Sequence, residues 1–200
     1  MLLSESHKFI FIHIPKVAGN SIEEIFREYS YKNTNSKGKE FDQHIWAVRL
    51  RKELSADSYN RYFKFAFVRN PWDRWVSLYF YILQHPDNQF YESTKSYKDF
   101  NEFVKNEVDK IWRPQQNKFI TDGDGKIIVD FIGKYETLAG DIKKICEILN
   151  LAQSSLPHKN SSSHKSYRLY YNEETKKLVE DHSRDDIRLF GYTFDDPGGR

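Results

Sequence analysis

The 200-residue chain is long enough for one domain with a substantial core. Its residues are 38% hydrophobic and 16% aromatic, which excludes a disordered chain. Its 31 Lys and Arg stand against 29 Asp and Glu, a formal net charge of +2, so neither a nucleic-acid coat nor an acidic tail is expected, and any anion site must be a local cluster of donors.

The first sixteen residues hold one short apolar run, Phe9 to Ile14, interrupted by His13. A membrane helix needs about 20 apolar residues, far more than this run offers. The segment also lacks the basic start and small-residue cleavage site of a secretory signal. The expectation is a soluble, cytoplasmic chain with no transmembrane segment. Lys8 to Ile14 alternates weakly and is rich in Phe and Ile, which predicts a buried strand ended by Pro15. Lys16, Val17, Ala18, Gly19 and Asn20 form a short loop. Ser21 is the expected N-cap of a helix, with Glu23 and Glu24 in its first turn and Ile22, Ile25 and Phe26 on its apolar face.

Residues 31–43 are polar and contain Gly38, the composition of a surface loop. His44 to Leu54 predicts a helix with Ile45, Val48 and Leu50 inward. Tyr62 to Val68 predicts a second buried strand, with Arg69 at its end. Asn70 then caps a helix with Pro71 at its first position, and Trp75, Leu78, Tyr79 and Ile82 recur at helical spacing. Residues 85–96 read as a second polar loop, and Phe100 to Val108 as a helix.

Asp122 to Gly125 predicts a turn into a third strand, Ile127 to Ile132. Ile142 to Leu149 follows as an amphipathic helix carrying Cys146, the only cysteine. No disulfide can form within the chain, which fits a reducing compartment. Residues 153–166 are a Ser-rich, mildly basic loop. Glu173 to Phe190 predicts the last helix, stopped at Gly191. Strands alternating with helices predict an α/β fold with a central, mostly parallel sheet covered on both faces. Such sheets bind ligands beyond the carboxyl ends of their strands, where residues 15–21 and 69–77 fall.

In residues 13–21 a strand runs into a small-residue loop that opens a helix. Helix-start N–H groups and the helix dipole favour an anion there. Ala18 and Gly19 allow close approach to the main chain, Lys16 adds a mobile charge and Ser21 a hydroxyl. The Walker pattern is absent, because the Lys precedes the Gly, and no carboxylate is evidently placed to hold magnesium. The competing reading is an ordinary strand–turn–helix corner with a surface lysine. In residues 65–77, Arg69 offers a planar fork suited to a phosphate, with Ser77 about two helical turns further on. The competing reading pairs Arg69 with Asp73 and turns Ser77 into the core. Asp122, Asp124 and Gly125 lack the later ligands of a calcium loop, and His158, His164 and His182 do not match zinc spacing. Trp46, Trp72, Trp75 and Trp112 are expected in core or rim packing, while Gln115 and Gln116, beside Trp112 and Arg113, could meet a sugar.

Taken together, the two segments resemble the nucleotide-binding signatures of sulfotransferases that use 3′-phosphoadenosine 5′-phosphosulfate (PAPS). The similarity is greatest to the carbohydrate-type sulfotransferase-2 branch, which includes the chondroitin, dermatan and heparan sulfate 2-O-sulfotransferases and small bacterial relatives. It extends to residues 129–136, 156–160 and 190–192. The resemblance implies one sulfotransferase domain over residues 1–200, with a three-layer, P-loop-NTPase-like fold. It further implies in-line transfer to an acceptor hydroxyl, with adenosine 3′,5′-bisphosphate as product and no metal. Lys16 would bind the bridging oxygen of the leaving phosphate. Ala18, Gly19, Asn20 and Ser21 would donate to the 5′-phosphate, and His13 would line the nucleotide. Arg69 and Ser77 would hold the 3′-phosphate. A loop from His158 to Lys165, with Asn160, Ser161 and Lys165 as donors, would close over it. His44 would be the general base, with Asp42 in reserve. Val17 and Asn20 replace the usual threonines; Val17 cannot donate a side-chain hydrogen bond, while Asn20 can. The two polar loops would shape the acceptor cleft, and the acceptor would be a glycan or other small hydroxyl compound, not a nucleic acid. A P-loop-type kinase and a non-catalytic nucleotide-binding module remain the alternatives, and the oligomeric state is open.

Overall fold

The structure is a computed structural model that describes residues 1–30, 40–110, 114–152, 164–196 and 198. Contacts divide the chain into two compact units, Met1–Val68 with Gln116–Asn160 and Arg69–Gln115 with Ser161–Arg200.

The first unit is built on a four-stranded sheet in the order β1 (Leu2–Ser4), β2 (Phe9–Ile12), β3 (Phe63–Val68) and β4 (Phe131–Lys134). Strands β2, β3 and β4 run parallel, with Phe11 opposite Phe65 and Phe65 opposite Phe131; β1 is antiparallel to β2. The mostly parallel α/β sheet is the class the sequence predicts. Phe9, Ile10, Phe11, Ile12, Phe65, Ala66, Phe67 and Val68 are fully buried, which is why these strands read as unbroken apolar runs and not as alternation. Among the described residues, the helices of this unit are α1 (Gly19–Phe26), α2 (Ala47–Leu54), α3 (Ala56–Asn60) and α7 (Leu138–Leu149). Ile22, Ile25 and Phe26 bury the inner face of α1 as expected, and Phe26 packs on Phe9 and Phe65 at centroid distances of 5.6 and 5.2 Å. Each such side chain contributes roughly 2 kcal/mol of burial.

Several boundaries in this unit move. The expected strand over 127–132 begins only at Phe131, because Ile127 is still part of the preceding turn. Ile127 pairs with Thr121 in an isolated antiparallel bridge, Asp122 Oδ1 accepts from the N–H groups of Asp124 and Lys126, and Gly125 takes φ 78°. Asp122 therefore serves as a turn residue. Helix α2 starts at Ala47, not His44, and buries Ala47 and Leu50 while Val48 is only half-buried. Strand β1 and helix α3 lie where no element was predicted; three residues are too few to show a period.

The described part of the second unit is helical: α4 (Pro71–Gln84), α5 (Tyr91–Ser96), α6 (Phe100–Glu107), α8 (Glu173–His182) and α9 (Arg184–Phe190). Its core gathers Trp72, Trp75, Val76, Ile82, Phe103, Val104 and Val179. Asn70 caps α4 as predicted, its Oδ1 accepting from the N–H groups of Trp72 and Asp73 at 3.0 and 3.4 Å. The polar stretch expected as a loop over 85–96 contains α5, and the single helix expected over 173–190 is broken at Ser183. Ser183 is buried at φ −100°, ψ 18°, outside the helical well, so the chain turns there. Gly191 ends α9 at φ 66°. Among the described residues, no helix is long and apolar enough to cross a membrane.

Candidate functional site

Beyond β2 the chain stays buried through His13 and Ile14 and then enters the loop. Lys16 and Ala18 both adopt left-handed backbone, at φ 70° and 63°. For residues with a Cβ this costs about 1–2 kcal/mol each. Val17, between them, is fully buried, and its side chain pins the loop to the core. Val17 therefore points inward, where a threonine hydroxyl would need a buried partner; its loss of a donor is no loss to a cradle outside.

The left-handed turn at Ala18 lets α1 begin at Gly19, with the Ile22 N–H donating to the Ala18 carbonyl at 3.1 Å. Ser21 is thus the third helical residue, 6% exposed, and not the N-cap. Glu23 and Glu24 fall in the second turn, so they are not first-turn partners of the helix dipole. Main-chain N–H groups in the first turn of a helix have no partner within it and point along the axis toward an anion. Lys16 is half-exposed and Asn20 exposed at this end.

His13 sits directly on the loop. A Cβ on Gly19 would lie 1.8 Å from His13 Nε2, so only glycine fits beneath the imidazole. The ring is buried, 4% exposed, and its Nδ1 lies 2.8 Å from Glu23 Oε1. A carboxylate only accepts, so this Nδ1 carries the hydrogen. The amino group of Met1 also donates to Glu23 Oε1, at 3.0 Å. Burial pushes the Glu23 carboxyl up, but the bond from His13 and the charge at Met1 outweigh it and hold it at about 2. Burial of His13 pushes its own pKa down, and Glu23 pulls the other way.

His44, in the turn before α2, packs edge-on against His13 with ring centroids 4.6 Å apart. Its Nδ1 lies 2.9 Å from the His13 carbonyl oxygen. A carbonyl cannot donate, so the His44 proton sits on Nδ1 and the lone pair on Nε2. Burial lowers the His44 pKa, with the His13 carbonyl bond opposing; the ring is held neutral and basic at one nitrogen. Asp42, the reserve base, is exposed and tied to Arg49 at 2.6 Å. Ile45 is buried between exposed His44 and exposed Trp46. Trp46 is 42% exposed, its ring braced edge-on by Phe119; it is rim packing, while Trp72 and Trp75 are core.

In the second unit, Arg69 is 4% exposed and its Nε donates to Asp73 Oδ2 at 2.9 Å. Ser77 is buried on α4. This local arrangement is the ion pair and inward serine that the sequence offered as the competing reading. One turn into α4, half-buried Arg74 meets the Pro114 carbonyl, with both Nη atoms at 3.4 Å. Burial lowers its pKa to about 10, with Asp186 pulling it back up and Arg69 pushing it down. Two arginines thus lie close enough in this unit to repel each other. Lys165 is exposed, its main-chain N–H donating to the Tyr170 hydroxyl at 3.1 Å. Asn160 and Ser161, residues 156–160, Trp112, Arg113 and most of the polar stretch 31–43 lie outside the described residues.

Of the predicted residues in the first unit, the fold brings His13, Gly19 and His44 together, with Asn20 Oδ1 accepting from Gln43 Nε2 at 3.4 Å. Sequence reasoning missed Glu23 as a partner of His13. One signal was present: a histidine at a strand end and a carboxylate four residues into the following helix, a spacing that turns both toward the same corner. Among the described residues, no group of three or more His, Cys, Asp or Glu is arranged to hold a metal ion.

The family model described as "Sulfotransferase family" matches residues 1–193. An uncharacterized protein of Archaeoglobus fulgidus is 34% identical over 125 residues, which cover 62% of this chain and 95% of the relative.

Proposed function

The chain belongs to the sulfotransferase family, and from that premise we propose that it transfers a sulfuryl group from PAPS to a hydroxyl of a carbohydrate acceptor, with His44 as general base. The observation that carries the proposal is the hydrogen bond from His44 Nδ1 to the His13 carbonyl. It leaves Nε2 unprotonated, on a ring that packs beside the histidine set on the Gly19 loop. His44 Nε2 takes the proton from the acceptor hydroxyl as its oxygen attacks sulfur. The bond between sulfur and the bridging phosphate oxygen breaks in line. Lys16 offsets the charge that gathers on that oxygen, and adenosine 3′,5′-bisphosphate departs. The N–H groups opening α1 take the 5′-phosphate. The loop suits an anion there, being held in left-handed backbone, braced by Val17 and His13, and opening directly into a helix. This chemistry asks for no metal ion.

The family resemblance assigns the 3′-phosphate to Arg69 and Ser77 and the closing loop to residues 158–165. Arg69 is a buried cation at the start of this unit, and half-buried Arg74 adds a second cation close to it. Exposed Trp46, two residues from His44 in the chain, supports an acceptor with a flat apolar face such as a sugar ring. Residues 1–200 act as one sulfotransferase domain, and the single, buried Cys146 supports a cytoplasmic setting.

The test is calorimetric titration with adenosine 3′,5′-bisphosphate without magnesium, beside ATP and AMP, followed by transfer from labelled PAPS to a panel of sugars. Selective bisphosphate binding and label on a sugar hydroxyl support the reading. Equal binding of AMP and bisphosphate removes the 3′-phosphate site, and no label on any hydroxyl removes the transferase.

A further inference from the structure

Glu23 lies at the centre of contacts that the family signatures do not describe. Its side chain is only 15% exposed, and the same oxygen meets both the Met1 amino group at 3.0 Å and His13 Nδ1 at 2.8 Å. His13 then does two things with the rest of its atoms. Its Nε2 edge occupies the space above Gly19, and its carbonyl oxygen receives the His44 Nδ1 hydrogen bond. The nucleotide loop and the base are therefore fixed by one residue, and that residue is fixed by one carboxylate.

We propose that Glu23 is the positioning residue of this site, holding the proton on His13 Nδ1 so that His13 braces the Gly19 loop and orients His44. The inference rests on the sulfotransferase reading for what the loop and the base do. A carboxylate accepts and cannot donate, so it permits only one His13 tautomer. With Nδ1 protonated toward Glu23, the His13 ring cannot flip without leaving a buried N–H unpaired, which costs about 1–3 kcal/mol. A fixed ring fixes the peptide that follows it, and with it the carbonyl that His44 reads. Carboxylates behind metal-ligating histidines fix tautomer and ring orientation by the same bond.

The charged or titratable groups around the pair are the Met1 amino group, Lys16 and His44. The Met1 amino group and Lys16 oppose protonation of His13, and only Glu23 favours it. Removing that carboxylate charge therefore moves the titration of His13 to lower pH, and that of His44 in the same direction, because Glu23 also favours the His44 cation.

The experiment is nitrogen NMR of the full chain labelled in histidine, wild type against Glu23→Gln and Glu23→Asp, with calorimetry of adenosine 3′,5′-bisphosphate on the same samples. Wild type is expected to show both histidines protonated at Nδ1. Glu23→Gln is expected to lower both midpoints, His13 more than His44, and to weaken the bisphosphate about tenfold, the lower end of the loss when the carboxylate behind a metal-ligating histidine is removed. Glu23→Asp, which keeps the charge, is expected to restore much of both. Unmoved midpoints in Glu23→Gln would overturn the proposal, and so would moved midpoints with wild-type affinity. A wild type that fails to bind bisphosphate sinks the sulfotransferase reading instead, and the histidine spectra separate that failure from one of Glu23.

Discussion

The imidazole of His44 donates from Nδ1 to the main-chain oxygen of His13, 2.9 Å away, while the two rings meet edge to face at 80°. This contact decides which His44 nitrogen can accept a proton. If Nε2 is the base, His44→Ala removes transfer but not nucleotide binding. General-base catalysis is worth about a hundred- to ten-thousand-fold in rate, so that loss is expected in turnover with bisphosphate affinity unchanged by calorimetry. A comparable loss of affinity would make His44 a binding residue.

Gly19 gives the second prediction. Its backbone does not lie in the left-handed region, and alanine has the better helix propensity by about 1 kcal/mol. The added Cβ, however, would lie 1.8 Å from His13 Nε2, and overpacking of this kind costs about 1–3 kcal/mol. The clash wins. Gly19→Ala is expected to lower the melting temperature and abolish bisphosphate binding. A variant as stable as wild type with normal binding would mean that His13 moves aside without consequence.

Trp46 separates acceptor from nucleotide. Its exposed ring lies two residues from His44 and is braced by Phe119, not buried with it. Trp46→Ala is expected to raise the KM for the acceptor about tenfold, equivalent to roughly 1.4 kcal/mol of lost contact, with no change in bisphosphate affinity. Equal KM values for the two proteins would place the acceptor elsewhere.

Acid should destabilise the fold in two stages. His13 and His44 both have pKa values lowered below the ordinary 6.5 by burial. The unfolded chain therefore takes up protons below about pH 6.5 that the folded chain refuses, and stability falls from there downward. Glu23 runs from an ordinary 4.5 to about 2 in the fold, so its contribution is complete above 4.5 and lost as the pH falls toward 2. That shift corresponds to about 3 kcal/mol at most. Urea midpoints measured from pH 7.5 to 3 should fall across both windows, and Glu23→Gln should flatten the lower one. A constant midpoint between pH 7.5 and 5 would mean that neither histidine is held neutral.

Much of this site was legible because its chemistry is local. The buried strand before Pro15, the Asn70–Pro71 cap and the apolar face of α1 all follow from residues within a few positions of one another. Ser21 was misplaced as a cap because the turn into α1 is made by left-handed backbone at Ala18, for which composition gives no sign. Val17 looked like a lost donor because a sequence does not show which way a loop side chain points; burial does. The His13–Glu23 bond was within reach of local spacing, but the His44 contact joins residues 31 positions apart and belongs to the tertiary fold. Strand β4 was misregistered for the same reason: the hairpin bridge between Thr121 and Ile127 consumes the residues that looked most like a strand.

Arg69 carries the sharpest remaining test, since its local structure and its family role make different demands. The Arg69–Asp73 pair is buried on both sides, 4% and 2% exposed. Removing one partner of such a pair costs about 3–5 kcal/mol by stranding the other charge, so Arg69→Ala alone confounds folding with binding. Arg69→Ala combined with Asp73→Ala removes both charges and should recover much of that stability. If Arg69 also grips the 3′-phosphate, the double variant should bind PAPS far more weakly than wild type, yet bind adenosine 5′-phosphosulfate, which lacks that phosphate, nearly as well. Charge-assisted bonds to phosphate contribute about 1.5–3 kcal/mol, so the expected gap between the two ligands is about ten- to a hundredfold. Equal weakening of both ligands would assign Arg69 to the core of its unit and leave the 3′-phosphate to other residues.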